Sequence, residues 1–277
     1  MTSPSMLTDL SRLAIHTMTN KPWTLRQCID GYCRAGVSGI TVWRNVLESD
    51  GAAAAGRMLR ESGLRVVALV RGGFFTGDAA RRQKAIDDNR RAIDEAAAIA
   101  APMVVLVCGA TPGLALEESR KQIRDGIGAV LPHAQGAGVK LAIEPLHPMY
   151  AADRSAINTM AQARALCEHF RSPYLGIAVD VYHVWWDPDL EAEIATAGRQ
   201  GTLLAFHVCD WRVDTRDLLN DRGLMGEGCI DIRRIRGWVE AAGFVGWNEV
   251  EIFSTEKWGM DQAQYVDQIK RAYLDHV

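Results

Sequence analysis

The sequence predicts an α/β protein, a single (β/α)8 TIM barrel spanning residues 1–277. Three observations carry this expectation. Short apolar runs rich in Val, Ile and Leu alternate eight times with longer amphipathic segments, the pattern of a parallel sheet covered by helices. No linker or change of composition divides the chain, and barrels of about 250 residues commonly form one domain. No Gly-x-Gly-x-x-Gly turn follows the first strand, which disfavours the alternative, an open doubly wound sheet.

The elements follow in order. Leu13-Ala14-Ile15-His16 is a short first strand, and Thr24 caps a helix to Ala35 that Gly36 stops. Residues 38–43 form the second strand, with an alanine-rich helix over 50–62. Arg65 to Val70 is the third strand. The glycine-rich stretch Arg71 to Gly77 reads as a loop, and Asp78 opens a helix to about Ala100. Met103 to Cys108 is the fourth strand, backed by a helix over 117–135. The fifth, Val139 to Ile143, ends in Glu144 and leads through a loop to a helix near Ser155. The sixth ends in Asp180, with a helix over 189–197; the seventh, from Thr202, ends in His207. A long loop, Cys209 to Cys229, precedes a helix over 231–242. The eighth strand, from Trp247, ends in Glu251, and the closing helix covers 256–275.

Strands five to eight thus each deliver one metal-competent side chain to the carboxyl edge, where parallel α/β folds build their sites. Any one glutamate at a strand end is more often a cap or salt-bridge partner. Four such residues on consecutive strands argue otherwise, because clustered carboxylates repel unless a cation neutralises them. Three carboxylates with one imidazole, Glu144, Asp180, His207 and Glu251, suit a divalent ion such as Mn²⁺, Mg²⁺ or Co²⁺. Glu249 competes with Glu251, since residues two apart on a strand face the same side.

Composition narrows the function. A net charge of −3 opposes a nucleic-acid partner. The six cysteines show no Cys-x-x-Cys pair or framework spacing, as expected of reduced thiols in the cytoplasm. No apolar run reaches membrane-spanning length, and no signal peptide is expected. A homo-oligomer, dimer or tetramer, is a possible assembly.

Ile143-Glu144-Pro145, Asp180-Val181-Tyr182-His183, Phe206-His207-Val208-Cys209-Asp210 and Gly243 to Glu251 together resemble the xylose-isomerase-like sugar isomerase and epimerase superfamily. Its members include ketose 3-epimerases, hydroxypyruvate isomerase and inosose dehydratase. Gly226-Glu227-Gly228-Cys229-Ile230-Asp231 is similar to a turn those proteins carry before the seventh helix. The resemblance implies that Glu144, Asp180, His207 and Glu251 bind one metal ion, choosing Glu251 over Glu249, and that Glu144 and Glu251 are also the catalytic acid/base pair. It implies that His183 contacts substrate and that an arginine shortly after His207 grips substrate oxygens, for which Arg212 is the nearest. His147, His16 and Trp43 are further substrate-binding candidates beside the strand ends.

Such a ring would act on a small-molecule carbohydrate. An ion chelating a ketone and its neighbouring hydroxyl stabilises an enediolate, and two glutamates on opposite faces can invert a carbon. The same intermediate can instead give aldose–ketose isomerisation, or loss of a β-substituent as in a dehydratase or lyase. A three-zinc endonuclease on this fold needs further histidines, yet no histidine lies between Thr17 and Pro132. The glycine-rich phosphate turn many barrels carry after the eighth strand is missing from Phe253-Ser254-Thr255-Glu256, which favours an unphosphorylated substrate.

Overall fold

The computed structural model describes residues 6–277. Eight parallel strands close into a barrel: β1 Leu13–His16, β2 Gly39–Trp43, β3 Arg65–Gly73, β4 Met103–Val107, β5 Lys140–Ile143, β6 Leu175–Asp180, β7 Leu203–Val208 and β8 Asn248–Val250. Each strand pairs with its sequence neighbours, and β8 closes on β1 through Leu13↔Asn248 to Ile15↔Val250. The covering helices are α1 Leu25–Ala35, α2 Ala52–Ser62, α3 Ala79–Ala98, α4 Leu116–Ala137, α5 Met160–Phe170, α6 Leu190–Arg199, α7 Ile232–Ala241 and α8 Gln262–His276. Local chemistry sets their ends. Thr24 and Gln27 form a reciprocal capping box on α1, and Gly36 ends it in the left-handed conformation.

Apolar residues fill two layers. Leu69, Val104, Leu106, Leu141 and Ile177 point outward into the core beneath the helices. Ala68, Val70, Val105, Ala142, Ala178 and Ala205 point into the barrel. Alternation along each strand therefore puts the acidic strand ends on the inner side, in line with small interior residues.

Two expectations need correction. β3 does not stop at Val70: Arg71, Gly72 and Gly73 continue it, with a register shift against β4 between Val70 and Gly72. Asn89 of α3 holds this extension, accepting from the Gly73 N–H at 2.7 Å and donating to the Gly73 carbonyl at 2.8 Å. Only glycine fits at 72, since a side-chain carbon would lie 2.4 Å from the Asn89 Oδ1. The second correction is the start of α5, at Met160 with Thr159 as cap rather than near Ser155. Ser155 instead bridges Gly109, and Asn158 bonds the Leu146 carbonyl, which keeps this stretch a loop. The long loop after β7 also folds back on itself, pairing Asp210–Trp211 antiparallel with Arg222–Gly223.

Asn89 is buried, so Asn89→Ala leaves two backbone groups without partners. The expected cost is about 2–4 kcal/mol in urea unfolding. A loss below about 1 kcal/mol would show that the β3 extension does not depend on it.

Candidate metal centre

Each member of the acidic ring is placed by its own strand. Glu144 stands one residue past β5, its N–H donating to the Leu106 carbonyl at 3.1 Å. Asp180 ends β6 and caps the turn Val181–Val184 by accepting from the Tyr182 N–H at 2.8 Å. His207 lies in β7, in register with Asp180 on one side and Glu249 on the other. Glu251 stands one residue past β8. One donor atom from each of Glu144, Asp180, His207 and Glu251 lies within 4.8 Å of the other three, and all four residues are buried. The strand order puts Glu144 and Glu251 at the two flanks, with Asp180 and His207 between them.

The other sequence candidates are placed around this set. His183 is buried but outside the four. Its Nε2 lies 3.6 Å from the Asp180 carboxylate and 3.2 Å from an Arg222 nitrogen. His16 sets Nδ1 3.0 Å from Glu251 and takes the Trp43 indole N–H at 3.2 Å, so both line the wall that β1 and β2 contribute. His147 is half-buried, its ring 4.9 Å from that of Trp211 and 5.8 Å from Trp186.

Arg212 is not brought to the ring. It joins Glu256 at 2.9 Å, Glu227 at 3.2 Å and Asp221 at 3.5 Å on the rim. The guanidinium inside is that of Arg222, which donates to Asp180 at 3.1 Å and Glu251 at 2.9 Å while packing over the Tyr182 ring. The reason is the antiparallel ribbon, which folds residue 222 back beside Trp211. Nothing local in the sequence marks Arg222 for this place, because its approach depends on a return across ten residues.

Glu249 forms a second, overlapping set with His16 and His207. Its carboxylate accepts from the Thr41 hydroxyl and lies 3.4 Å from His16 Nε2 and 3.8 Å from His207 Nε2. His207 thus faces two carboxylates with two different nitrogens, since its Nδ1 is 3.0 Å from Glu144. Glu251 belongs to the four-residue set and Glu249 to the layer beneath.

Burying this many acids shifts their protons. Burial raises Asp180 to about 7, against Arg222 and with help from Glu251 and Glu144. Burial would lower His207, but Glu249 and Glu144 outweigh it and lift the imidazole to about 10. His16 is raised likewise, Glu251 and Glu249 overcoming burial. For Glu251 burial is outweighed by His16 and Arg222, which hold its carboxyl well below the usual range. Burial and then Arg222 keep His183 neutral.

The donor set fits a divalent ion. Three carboxylate groups and an imidazole are oxygen-rich and borderline in softness. Among the described residues, His207 Nε2 and His16 Nε2 are buried without a hydrogen-bond partner, so the cluster is not closed on itself. Arg222, in contact with Asp180 and Glu251, supplies part of the positive charge that such a set requires.

Closed parallel barrel and acidic cluster together define a (β/α)8 barrel with a metal-competent site at its carboxyl edge. The chain belongs to the xylose isomerase-like TIM barrel family, whose model matches residues 33–273. The crystal structure of protein SMc04130 from Sinorhizobium meliloti 1021 is 47% identical, with a TM-score of 0.94 over 97% of this chain and 99% of that one. The IolI protein with a bound zinc atom is 19% identical, TM-score 0.84, covering 96% and 98%. D-psicose 3-epimerase in the presence of D-fructose is 16% identical, TM-score 0.77, covering 94% and 96%. The last two likenesses are of fold. No curated protein matches the chain. No described helix is long and apolar enough to cross a membrane.

Two outcomes follow from the electrostatics. A divalent ion held by this set would have to displace protons from His207 and Asp180, so titration with Mn²⁺ should show an affinity that falls with pH, about tenfold per pH unit for each proton displaced. Calorimetry in buffers of different ionisation enthalpy reads this directly, and a buffer-independent heat would contradict it. Arg222→Met leaves buried Asp180 and Glu251 without their cation. The metal-free variant should lose about 3–5 kcal/mol in urea unfolding, part of it recovered with Mn²⁺.

Proposed function

We propose that this protein is a divalent-metal-dependent isomerase or epimerase of a small carbohydrate. Glu144, Asp180, His207 and Glu251 would hold one ion, with Mn²⁺ as first choice and Mg²⁺ or Co²⁺ next. The convergence of these four buried donors is the observation that carries the reading. The family and the epimerase and zinc-bound neighbours support it.

When bound, the ion would supply Lewis-acid polarisation of a ketone and its neighbouring hydroxyl. The residues of the chain do the rest. Glu144 and Glu251 stand on β5 and β8 with two strands between them, so they reach a bound carbon from different sides. One removes a proton and the other returns one, which inverts the centre. His16 and Arg222 keep Glu251 ionised, the form that can accept a proton. His183, held neutral beside Arg222, offers an uncharged polar contact to a substrate oxygen. Trp43, His147 and Trp211 give the mouth flat surfaces against which the apolar face of a sugar can pack.

The test is a screen of ketoses and keto-sugars in D₂O, with the ion removed before NMR, reading both product and exchanged carbon. Chelation should abolish turnover and Mn²⁺ restore it; full turnover by protein free of metal on elemental analysis would overturn the reading. At saturating Mn²⁺, Glu144→Gln and Glu251→Gln should each lose about 10²–10⁴-fold, because an amide offers an oxygen but accepts no proton. Glu249→Gln should lose less than either. The reverse ranking would assign proton transfer to Glu249.

A further inference from the structure

The bulge in β3 re-aims one side chain. Leu69 and Val70 pair with Val104 and Val105, and Gly72 and Gly73 with Leu106 and Val107, so Arg71 is the extra residue. Leu69 faces the outer layer and Val70 the interior. Gly72 is outward again, toward Asn89 of α3. Two consecutive inward positions result, Val70 and then Arg71, as a bulge allows. Arg71 therefore stands at the carboxyl rim of the barrel. Its level falls between those of Val105 and Leu106, and Leu106 pairs with Ile143 immediately before Glu144.

A second arginine borders it. The Arg71 guanidinium packs 4.3 Å from the centre of the Phe74 ring. The Gly109 backbone abuts Phe74 so closely that a side-chain carbon would lie 2.9 Å from its Cα, and Gly109 bridges Ser155, the neighbour of Arg154. Arg154 lies 5.3 Å from the Tyr150 ring, and Tyr150 stands edge-on to His183 at 5.9 Å. The two cations thus lie along one rim, between β3 and the loop after β5.

Neither has an acceptor. Arg44, Arg164, Arg212, Arg216 and Arg222 all meet carboxylates. Arg71 and Arg154, among the described residues, donate no side-chain hydrogen bond and make no ion pair. Half-buried guanidinium donors left unspent beside a like charge are unfavourable unless an anion arrives. Burial, and then the Arg154 charge, already hold Arg71 below its usual range, while Glu144 opposes this.

We infer that Arg71 and Arg154 form an oxyanion subsite beside Glu144, and that the carbohydrate handled at the ring carries an acidic group, a carboxylate or a phosphate, at the end lying over β3 and β5. This rests on the ring being a substrate site. The planar guanidinium fork favours the carboxylate, hence a sugar acid.

Three probes sharing a six-carbon chain test it by calorimetry: D-glucitol, D-gluconate and D-glucitol 6-phosphate, each with Mn²⁺-loaded and metal-free protein. Gluconate should bind at least about tenfold tighter than glucitol. Arg71→Gln and Arg154→Gln should each weaken gluconate by about 10- to 100-fold and leave glucitol within about twofold. Arg71→Lys, which keeps the charge without the fork, should fall between wild type and Arg71→Gln, and thermal unfolding verifies that each variant is folded. Tighter binding of the phosphate probe with the same arginine dependence would make the oxyanion a phosphate. Equal or absent binding of glucitol and gluconate, or a preference that survives both glutamine variants, overturns the inference. An arginine-dependent preference in protein that takes up no Mn²⁺ would uphold the subsite and sink the metal reading.

Discussion

Four carboxylates buried at one edge of a closed barrel must be neutralised, and much of the structure around them answers that requirement. Glu144, Asp180, Glu249 and Glu251 are each no more than 4% exposed. Isolated charges at such depth are costly, so protons, cations or a metal must accompany them. Arg222 supplies one permanent charge, reaching both Asp180 and Glu251. His16 and His207 supply titratable ones, wedged edge-to-face between the acids with ring centres 4.7 Å apart. The ribbon after β7 has its clearest structural consequence here, because it is what delivers Arg222 to the ring.

The barrel arranges these charges in two tiers. Glu249 with Thr41, His16 and His207 forms a lower layer. Glu144, Asp180 and Glu251 rise above it at the mouth. His207 connects them, with one ring nitrogen in each tier. A histidine held this way has both its ring angle and its tautomer constrained by the layer below, a common way for folds to orient a ligand. Beyond β5 and β7 the rings of His147 and Trp211 pack together, while Trp43, paired with Val70, stands beside the β3 rim. That rim exists because Asn89 extends the strand past Val70, so a polar contact on the outer face of the sheet decides what the inner face presents.

Most of the architecture was legible in the chain. Alternating apolar strands and amphipathic helices give eight βα units, and the closing of β8 on β1 follows the expectation for such a repeat. The positions of Glu144, Asp180, His207 and Glu251 at strand ends were legible for the same reason, since strand ends are local features and the carboxyl edge is common to all eight units. Phe74 to Gly77 is a loop as expected, and the misreading of Arg71 to Gly73 came from taking glycine as a sign of a loop. In this barrel Gly72 serves close packing of α3 against β3.

What only the tertiary structure decided are the pairings that cross long stretches of chain. Proximity in sequence suggested Arg212, yet the ribbon turns that residue toward Glu256 and brings Arg222 to Asp180, 42 positions away. Period-two alternation put Glu249 and Glu251 on one side and could not rank them; their heights along β8 separate them, one beside His16 Nε2 and the other in the upper set. A register shift in β3 likewise leaves no compositional mark, though it sets the direction of Arg71. The sequence by itself determined which residue types arrive at the carboxyl edge, because strand length and alternation are properties of neighbouring residues. Which of them meet, and which charge each acid faces, was decided by closure of the barrel, since those distances depend on strand register and loop return.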